Sequence, residues 1–355
     1  MIDETTKVFG YWNFPDTPYD LYAGELLVGK GEIELTWYGL DGSALGFDDL
    51  LPAIHGVDTK GNKMTLCDCI ITSRAISHPG IPVITFSARY LLHGAQLQEA
   101  ELFFDAASVC MARLNEWAEV YGFNTLNATD ESTELQYTLP DPIPLFASNE
   151  IEYALLFHRQ QPLFRHVHSF TIAQTTRLRI STRTPFSLSD FWSHFAPVRS
   201  FLTLAYFDEA KVEELRLKRG DRWLTIVFAW GTTSTKEAHG HHNFLFTYKD
   251  VQHELPSMFA KWLLLQEKIE PAVALLQESF GDRTILGEHK FLNIVQGLAD
   301  LSPKAAEKRA ASTRRTQAAR RRDRRSRARS SPCVVKRAVE LYQRAYASRT
   351  AGRVV

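Results

Sequence analysis

The chain has 355 residues, with 41 basic and 41 acidic side chains for a net charge of zero, and 12% of its residues are aromatic. That length allows two or three domains. Four cysteines are too few for a disulfide framework, and the acidic opening Met1-Ile2-Asp3-Glu4 lacks the apolar stretch of a signal peptide.

The neutrality covers a split near Leu301. Residues 301–355 carry 14 Arg and 3 Lys against Glu307, Asp323 and Glu340, a net +14, so residues 1–300 hold the balancing −14. No Phe, Trp or His follows Phe291, and a segment without large apolar side chains cannot offset the entropy of ordering. An acidic body also argues against non-specific nucleic-acid binding by residues 1–300, because phosphate contacts need Lys and Arg. The apolar run Leu224–Trp230, interrupted by Thr225, is far below the roughly 20 residues that span a bilayer. The composition therefore points to a cytoplasmic protein with no membrane segment.

The first 130 residues read as β-structure. Ile33, Leu35 and Trp37 alternate with Glu34, Thr36 and Tyr38, the period of a half-buried strand. Met64–Ile71 and Val83–Tyr90 repeat the theme on either side of the breaker His78-Pro79-Gly80. Cys67 and Cys69 fall at strand spacing, which predicts two thiols on one face, buried and without a metal. Glu101–Trp117 fits a strand at Leu102–Phe104 and a helix at Leu114–Trp117.

After the connector Leu139-Pro140-Asp141-Pro142-Ile143-Pro144 a second β-rich stretch begins, with Leu178 and Ile180 on one side of Ser169–Thr182 and Arg177, Arg179 and Ser181 on the other. Ser187 with Asp190 three residues on is a helix start, and Phe191, Phe195, Val198 and Leu202 form one helical stripe behind it. Strands are expected at Trp223–Trp230 and Phe244–Tyr248, then helical spacing from Pro256 to Phe280, broken at Pro271. A last amphipathic helix opens at Glu288, with Phe291, Ile294, Val295 and Leu298 on one stripe. The expected fold is α+β: a β-rich two-part body of antiparallel, sandwich-like sheets (1–285, in sub-parts of about 1–138 and 145–285), the first helix of an incomplete helical domain (286–300), and a basic tail (301–355).

Candidate chemistry is sparse. His239, His241 and His242 offer imidazoles suited to zinc, nickel or copper, but no carboxylate or thiol sits at a helpful spacing, and the flanking composition is that of a loop. Arg159 and His166 match by count a ribonuclease pattern in which Arg stabilises phosphate charge and His transfers the proton. Pro162 between them would break the helix that pattern needs. His166 and His168 share one side of a predicted strand. No phosphate-binding glycine loop, nucleophile elbow or zinc-helix motif is present. The tail fits three origins: a nucleic-acid arm, a solvated tail, or an out-of-frame reading of a GC-rich gene. It offers no aromatic side chain for base stacking before Tyr342.

Several segments together resemble the ApeA N-terminal domain family: Phe9-Gly10-Tyr11-Trp12-Asn13-Phe14-Pro15-Asp16, Gly24-Glu25-Leu26, Ile54-His55-Gly56, and Gly61-Asn62-Lys63-Met64-Thr65-Leu66-Cys67-Asp68-Cys69. The resemblance returns at Phe191–Leu204, and Glu288–Leu298 looks like the opening of that family's C-terminal HEPN domain. It implies an anti-phage defence protein whose N-terminal region recognises a phage-derived or host trigger and whose HEPN ribonuclease degrades RNA. Where members continue the last helix, this chain has Ala299-Asp300-Leu301-Ser302-Pro303, and no His follows His289. The resemblance therefore carries over no catalytic residue, and no catalytic, cofactor-binding or metal residue is assigned. The expected role is a non-catalytic recognition region with its HEPN domain truncated or frame-shifted. The alternatives are an active HEPN-type ribonuclease, and a nucleic-acid-binding protein that takes RNA through residues 304–329.

Overall fold

The computed structural model describes residues 6–29, 31–40, 45–46, 49–75, 79–128, 133–160, 172–229 and 244–266. All of them fall in the first of the two units into which the chain divides. The triple-histidine loop, His166, His168, the Glu288 helix and the basic tail lie outside the described residues.

Six strands form the first half: β1 (Thr6–Asn13), β2 (Tyr22–Gly29), β3 (Glu32–Tyr38), β4 (Leu51–Asp58), β5 (Lys63–Ala75) and β6 (Val83–His93). They follow the order β6-β3-β2-β1-β4-β5, and β5 pairs back onto β6, so the sheet closes as an antiparallel barrel. Closure removes the free edges that would otherwise invite pairing with another chain. The alternation read at Ile33, Leu35 and Trp37 is the inside of this barrel. There they pack with Trp12, Leu26, Ile54, Leu66 and Phe86.

A second antiparallel sheet grows from the barrel. It uses β7 (Phe103–Met111), β10 (Ile143–Ala147), β11 (Ile151–Arg159), β12 (Gln174–Ser187), β13 (Val212–Arg219) and β14 (Arg222–Phe228) in the order β10-β11-β12-β7-β13-β14. The remaining strands, β8 (Phe123–Ala128) and β9 (Thr133–Tyr137), form a separate two-stranded pair. β6 joins the sheets: Val83–Ser87 pair with β3, and Tyr90–His93 pair with β14. Its side chains change core accordingly, with Phe86 and Ala88 in the barrel and Tyr90 and Leu92 in the second core.

The same handover corrects the expectation for the cysteines. Asp68 lies between them in the left-handed region, at φ 54, a conformation that Asp tolerates better than most residues. Cys67 packs in the second core and Cys69 in the barrel. Both thiols are buried, but in different cores.

Helices cover one face of the second sheet: α1 (Leu114–Ala118), α2 (Leu188–Tyr206), α3 (Tyr248–Val251) and α4 (255–266). The ambiguous Glu101–Trp117 holds both a strand, β7, and a helix, α1, separated by Arg113 at φ 65. The predicted stripe of α2 is buried in full, against Val109, Leu178 and Ile180 of the sheet. Its start is the predicted capping box: Asp190 N donates to Ser187 Oγ at 3.2 Å, and Ser187 N donates to Asp190 Oδ2 at 3.2 Å. The Ser187 hydrogen bonds hold the Asp190 carboxyl below its usual range. Losing a cap of this kind costs about 1 kcal/mol. Ser187→Ala should therefore lower the unfolding free energy by that amount, seen as a lower urea midpoint with an unchanged denaturant slope by far-ultraviolet circular dichroism.

One predicted strand is absent. Residues 244–247 carry no strand; Leu245 N donates to Ala205 O at the end of α2, and Thr247 caps α3 through Asp250. Phe244 and Phe246 alternate as in a strand, but they cover helix ends, Phe246 packing edge-on to Phe201 and Phe244 to Tyr206. Among the described residues no helix is long and apolar enough to cross a membrane.

Candidate recognition surface

Of the residues singled out for chemistry, Arg159, Cys67 and Cys69 lie among the described residues. Arg159 ends β11 with its guanidinium 6.0 Å from the centre of the Tyr137 ring. Its proposed partner His166 lies outside the described residues. Burial raises the thiols of Cys67 and Cys69 far above the ordinary range, and it pushes Cys110 up to about 11, so none is a ready thiolate nucleophile. Among the described residues no cluster of three or more His, Cys, Asp or Glu could hold a metal.

The motif residues, by contrast, converge on one indole ring. Trp12 is fully buried and is wedged between two glycines. A Cβ on Gly56 would lie 2.3 Å from Trp12 Cζ3, and one on Gly24 would lie 2.7 Å from Trp12 Cδ1. Gly10, two residues earlier, lies so close to β4 that its Cβ would meet Val57 O at 2.3 Å. His55 Nε2 contacts Leu97 O at 2.9 Å, and Thr65 Oγ1 donates to Ala95 O and accepts from Leu97 N. Both thus pin the loop after β6. Asp58 Oδ1 accepts from Lys60 N and Asn62 N in the tight turn that needs Gly61 at φ 82. Each of these motif residues has a structural task in the barrel. The family profile of ApeA N-terminal domain 1 matches residues 7–262, about 72% of the chain.

The chain belongs to the ApeA N-terminal domain 1 family. No curated protein and no solved structure matches it. Within the matched span of this ApeA domain, the strand that turns Gly10 and Trp12 inward turns the alternate residues outward. Phe9 is 54% exposed and Tyr11 60%, and the loop after β1 adds Tyr19 at 94% and Leu21. Neighbouring exposed aromatic side chains on a closed barrel mark an interaction surface more often than scattered ones do.

Register lays out this outer face as a grid. Lys7, Leu27 and Glu34 form one cross-strand row over β1, β2 and β3; Phe9, Glu25 and Thr36 form the next. Tyr11 pairs with Ala23, and one step beyond the Gly24–Trp37 pair the same register sets Ala23 beside Tyr38, which is 39% exposed. The third row is therefore Tyr11, Ala23, Tyr38: two rings with a methyl group between them. Lys7 is the grid's one cation, and its Nζ donates to Glu25 Oε1 at 2.6 Å. That hydrogen bond, and then the charge of Glu25, raise its pKa.

A second polar surface lies on the open face of the second sheet. Arg177 is buried there; Nε donates to Ser108 Oγ at 2.8 Å, Nη2 to Ser108 O at 3.2 Å and Nη1 to Glu214 Oε2 at 2.8 Å. Glu214 also takes Arg216, and Arg179 pairs with Glu152 at 2.9 Å. These cations are matched by carboxylates, so this face is a self-satisfied network, and the barrel face is the candidate site. Reading the sequence missed that face because the F-G-Y-W run was read as a motif. Its strand alternation, Phe9 and Tyr11 against Gly10 and Trp12, was the available signal.

Proposed function

We propose that residues 7–262 are the recognition region of an ApeA-like anti-phage defence protein, non-catalytic in themselves and cytoplasmic, responding to a phage-derived or host trigger and normally coupled to a HEPN ribonuclease. The observation that carries this reading is the family match over nearly the whole described span. The barrel supports it physically: its motif residues build a rigid wall, and the same strand displays Phe9 and Tyr11 to solvent. Side chains on rigid strands hold a binding geometry more closely than side chains on loops.

The reading predicts that the purified full chain leaves RNA intact. Removing a true proton-transfer group lowers the rate of cleavage by roughly 100- to 10,000-fold, so a gel assay on a labelled RNA decides the matter. Any background cleavage should be indifferent to His166→Ala. Cleavage abolished by that substitution would overturn the non-catalytic reading and place a ribonuclease centre at Arg159 and His166.

A further inference from the structure

We infer that the Tyr11–Ala23–Tyr38 row is a slot for a lysine or arginine side chain carried on an extended basic segment of a partner protein; the inference rests on the recognition role proposed above. Its width follows from sheet geometry. Neighbouring strands lie about 4.8 Å apart, so the backbones of Tyr11 and Tyr38, two strands from each other, lie about 10 Å apart across Ala23. A side chain touching both rings needs about 7–8 Å between them, at about 3.5–4 Å per contact, which the two tyrosines supply by leaning over Ala23. One linear stem or flat guanidinium fits, and the Ala23 methyl leaves the floor open.

Charge selects the occupant. Glu25 lies in the adjoining row and Glu34 in the next. Asp16 and Asp20 are exposed in the loop leaving this end of β1. The grid's only cation, Lys7, is held by Glu25. Two tyrosine faces among these carboxylates favour a cation, which gains from the ring quadrupoles as well as from the acidic field. An acidic or nucleic-acid ligand would meet like charge. Phe9, Tyr19 and Leu21 add exposed apolar surface along the same strand and the loop after it, where residues flanking the inserted cation would lie.

The test is calorimetric titration of the full chain, at low salt, with a nine-residue Arg/Lys peptide and with the same peptide carrying Glu at every basic position. Because residues 304–329 are themselves basic, the comparison is made between variants of one full-length chain. The basic peptide should bind at the grid, and any binding of the acidic peptide, which the basic tail can take, should be indifferent to the slot variants. Tyr11→Ala and Tyr38→Ala should each weaken binding about fivefold, the size of one exposed cation–π contact. Ala23→Leu, which fills the floor, should weaken it more than either, and Tyr121→Ala, away from the grid, should change nothing. All three positions are solvent-facing, so folding is checked by an unchanged unfolding midpoint. No binding of the basic peptide, slot variants within twofold of the parent for that peptide, or an equal loss of acidic-peptide binding in those variants would each overturn the slot. None of these outcomes touches the non-catalytic role, which stands or falls with RNA cleavage at His166.

Discussion

Gly56→Ala should be among the most damaging single substitutions in the barrel, although it adds only one methyl group. The new Cβ would sit 2.3, 2.5 and 2.8 Å from three atoms of the Trp12 ring, distances that non-bonded carbons do not tolerate. Trp12 cannot retreat, because its opposite edge already lies against Gly24. Relief must come from moving β4 away from β1, and the two are paired through Trp12 and Gly56 themselves. Overpacking a close-fitting core costs about 1–3 kcal/mol, and a site closed on both sides belongs at the upper end. Against a typical domain stability of about 5–15 kcal/mol, that shifts a urea midpoint clearly. Trp12→Leu alone also destabilises, since it removes one of the two tryptophans of the barrel core. Combining the two should cost much less than their sum, by about 0.5–3 kcal/mol, because the smaller side chain makes room for the methyl. A Gly56→Ala protein within about 0.5 kcal/mol of the parent, the usual range for surface changes, would refute this account of the motif.

The barrel wall was legible where alternation is strict and both faces are ordinary. Ile33, Leu35 and Trp37 against Glu34, Thr36 and Tyr38 mark β3 by alternation alone, and Ser187 with Asp190 marks the start of α2 by local chemistry. β1 and β13 are among the strands that the sequence does not single out. In β1 the inward positions are Gly10 and Trp12, and a glycine that exists to admit a ring from the next position carries no hydrophobic signal. In β13 the register shifts between Val212 and Glu214, so its apolar residues Val212, Leu215 and Leu217 do not keep one parity. Phe244 and Phe246 misled for the opposite reason: a period of two, too short to distinguish a strand from two rings capping helices. Closure of the barrel and the change of core along β6 depend on pairings between distant strands. So does the Tyr11–Ala23–Tyr38 row, which no window of sequence contains.

Arg177→Ala should destabilise the second sheet by about 2–3 kcal/mol at pH 7, and by less in acid. The side chain is 7% exposed and spends its donors on Ser108 and Glu214. Breaking a buried ion pair by removing one partner costs about 3–5 kcal/mol. Glu214 is one-third exposed, and water screens the carboxylate left behind, which lowers the figure. The pH dependence separates charge from packing. Burial by itself would raise the Glu214 carboxyl, but hydrogen bonds and charge from Arg177, and then from Arg216, outweigh it and hold the group below its ordinary value. A lowered carboxyl stabilises the fold above the unfolded-state pKa of about 4.3, and that contribution is lost as pH falls through the lower folded value. As pH falls through that lower value Glu214 becomes protonated and the charge term fades, leaving the lost donors to Ser108 and the lost packing of the arginine stem. Arg177→Met keeps most of that stem, so it should be milder than Arg177→Ala at every pH and show the same acid convergence toward the parent. Urea unfolding at pH 7 and pH 3 measures both variants. A cost that does not change between the two pH values would mean that Arg177 acts by filling space, and that its pairing with Glu214 contributes nothing measurable to the sheet.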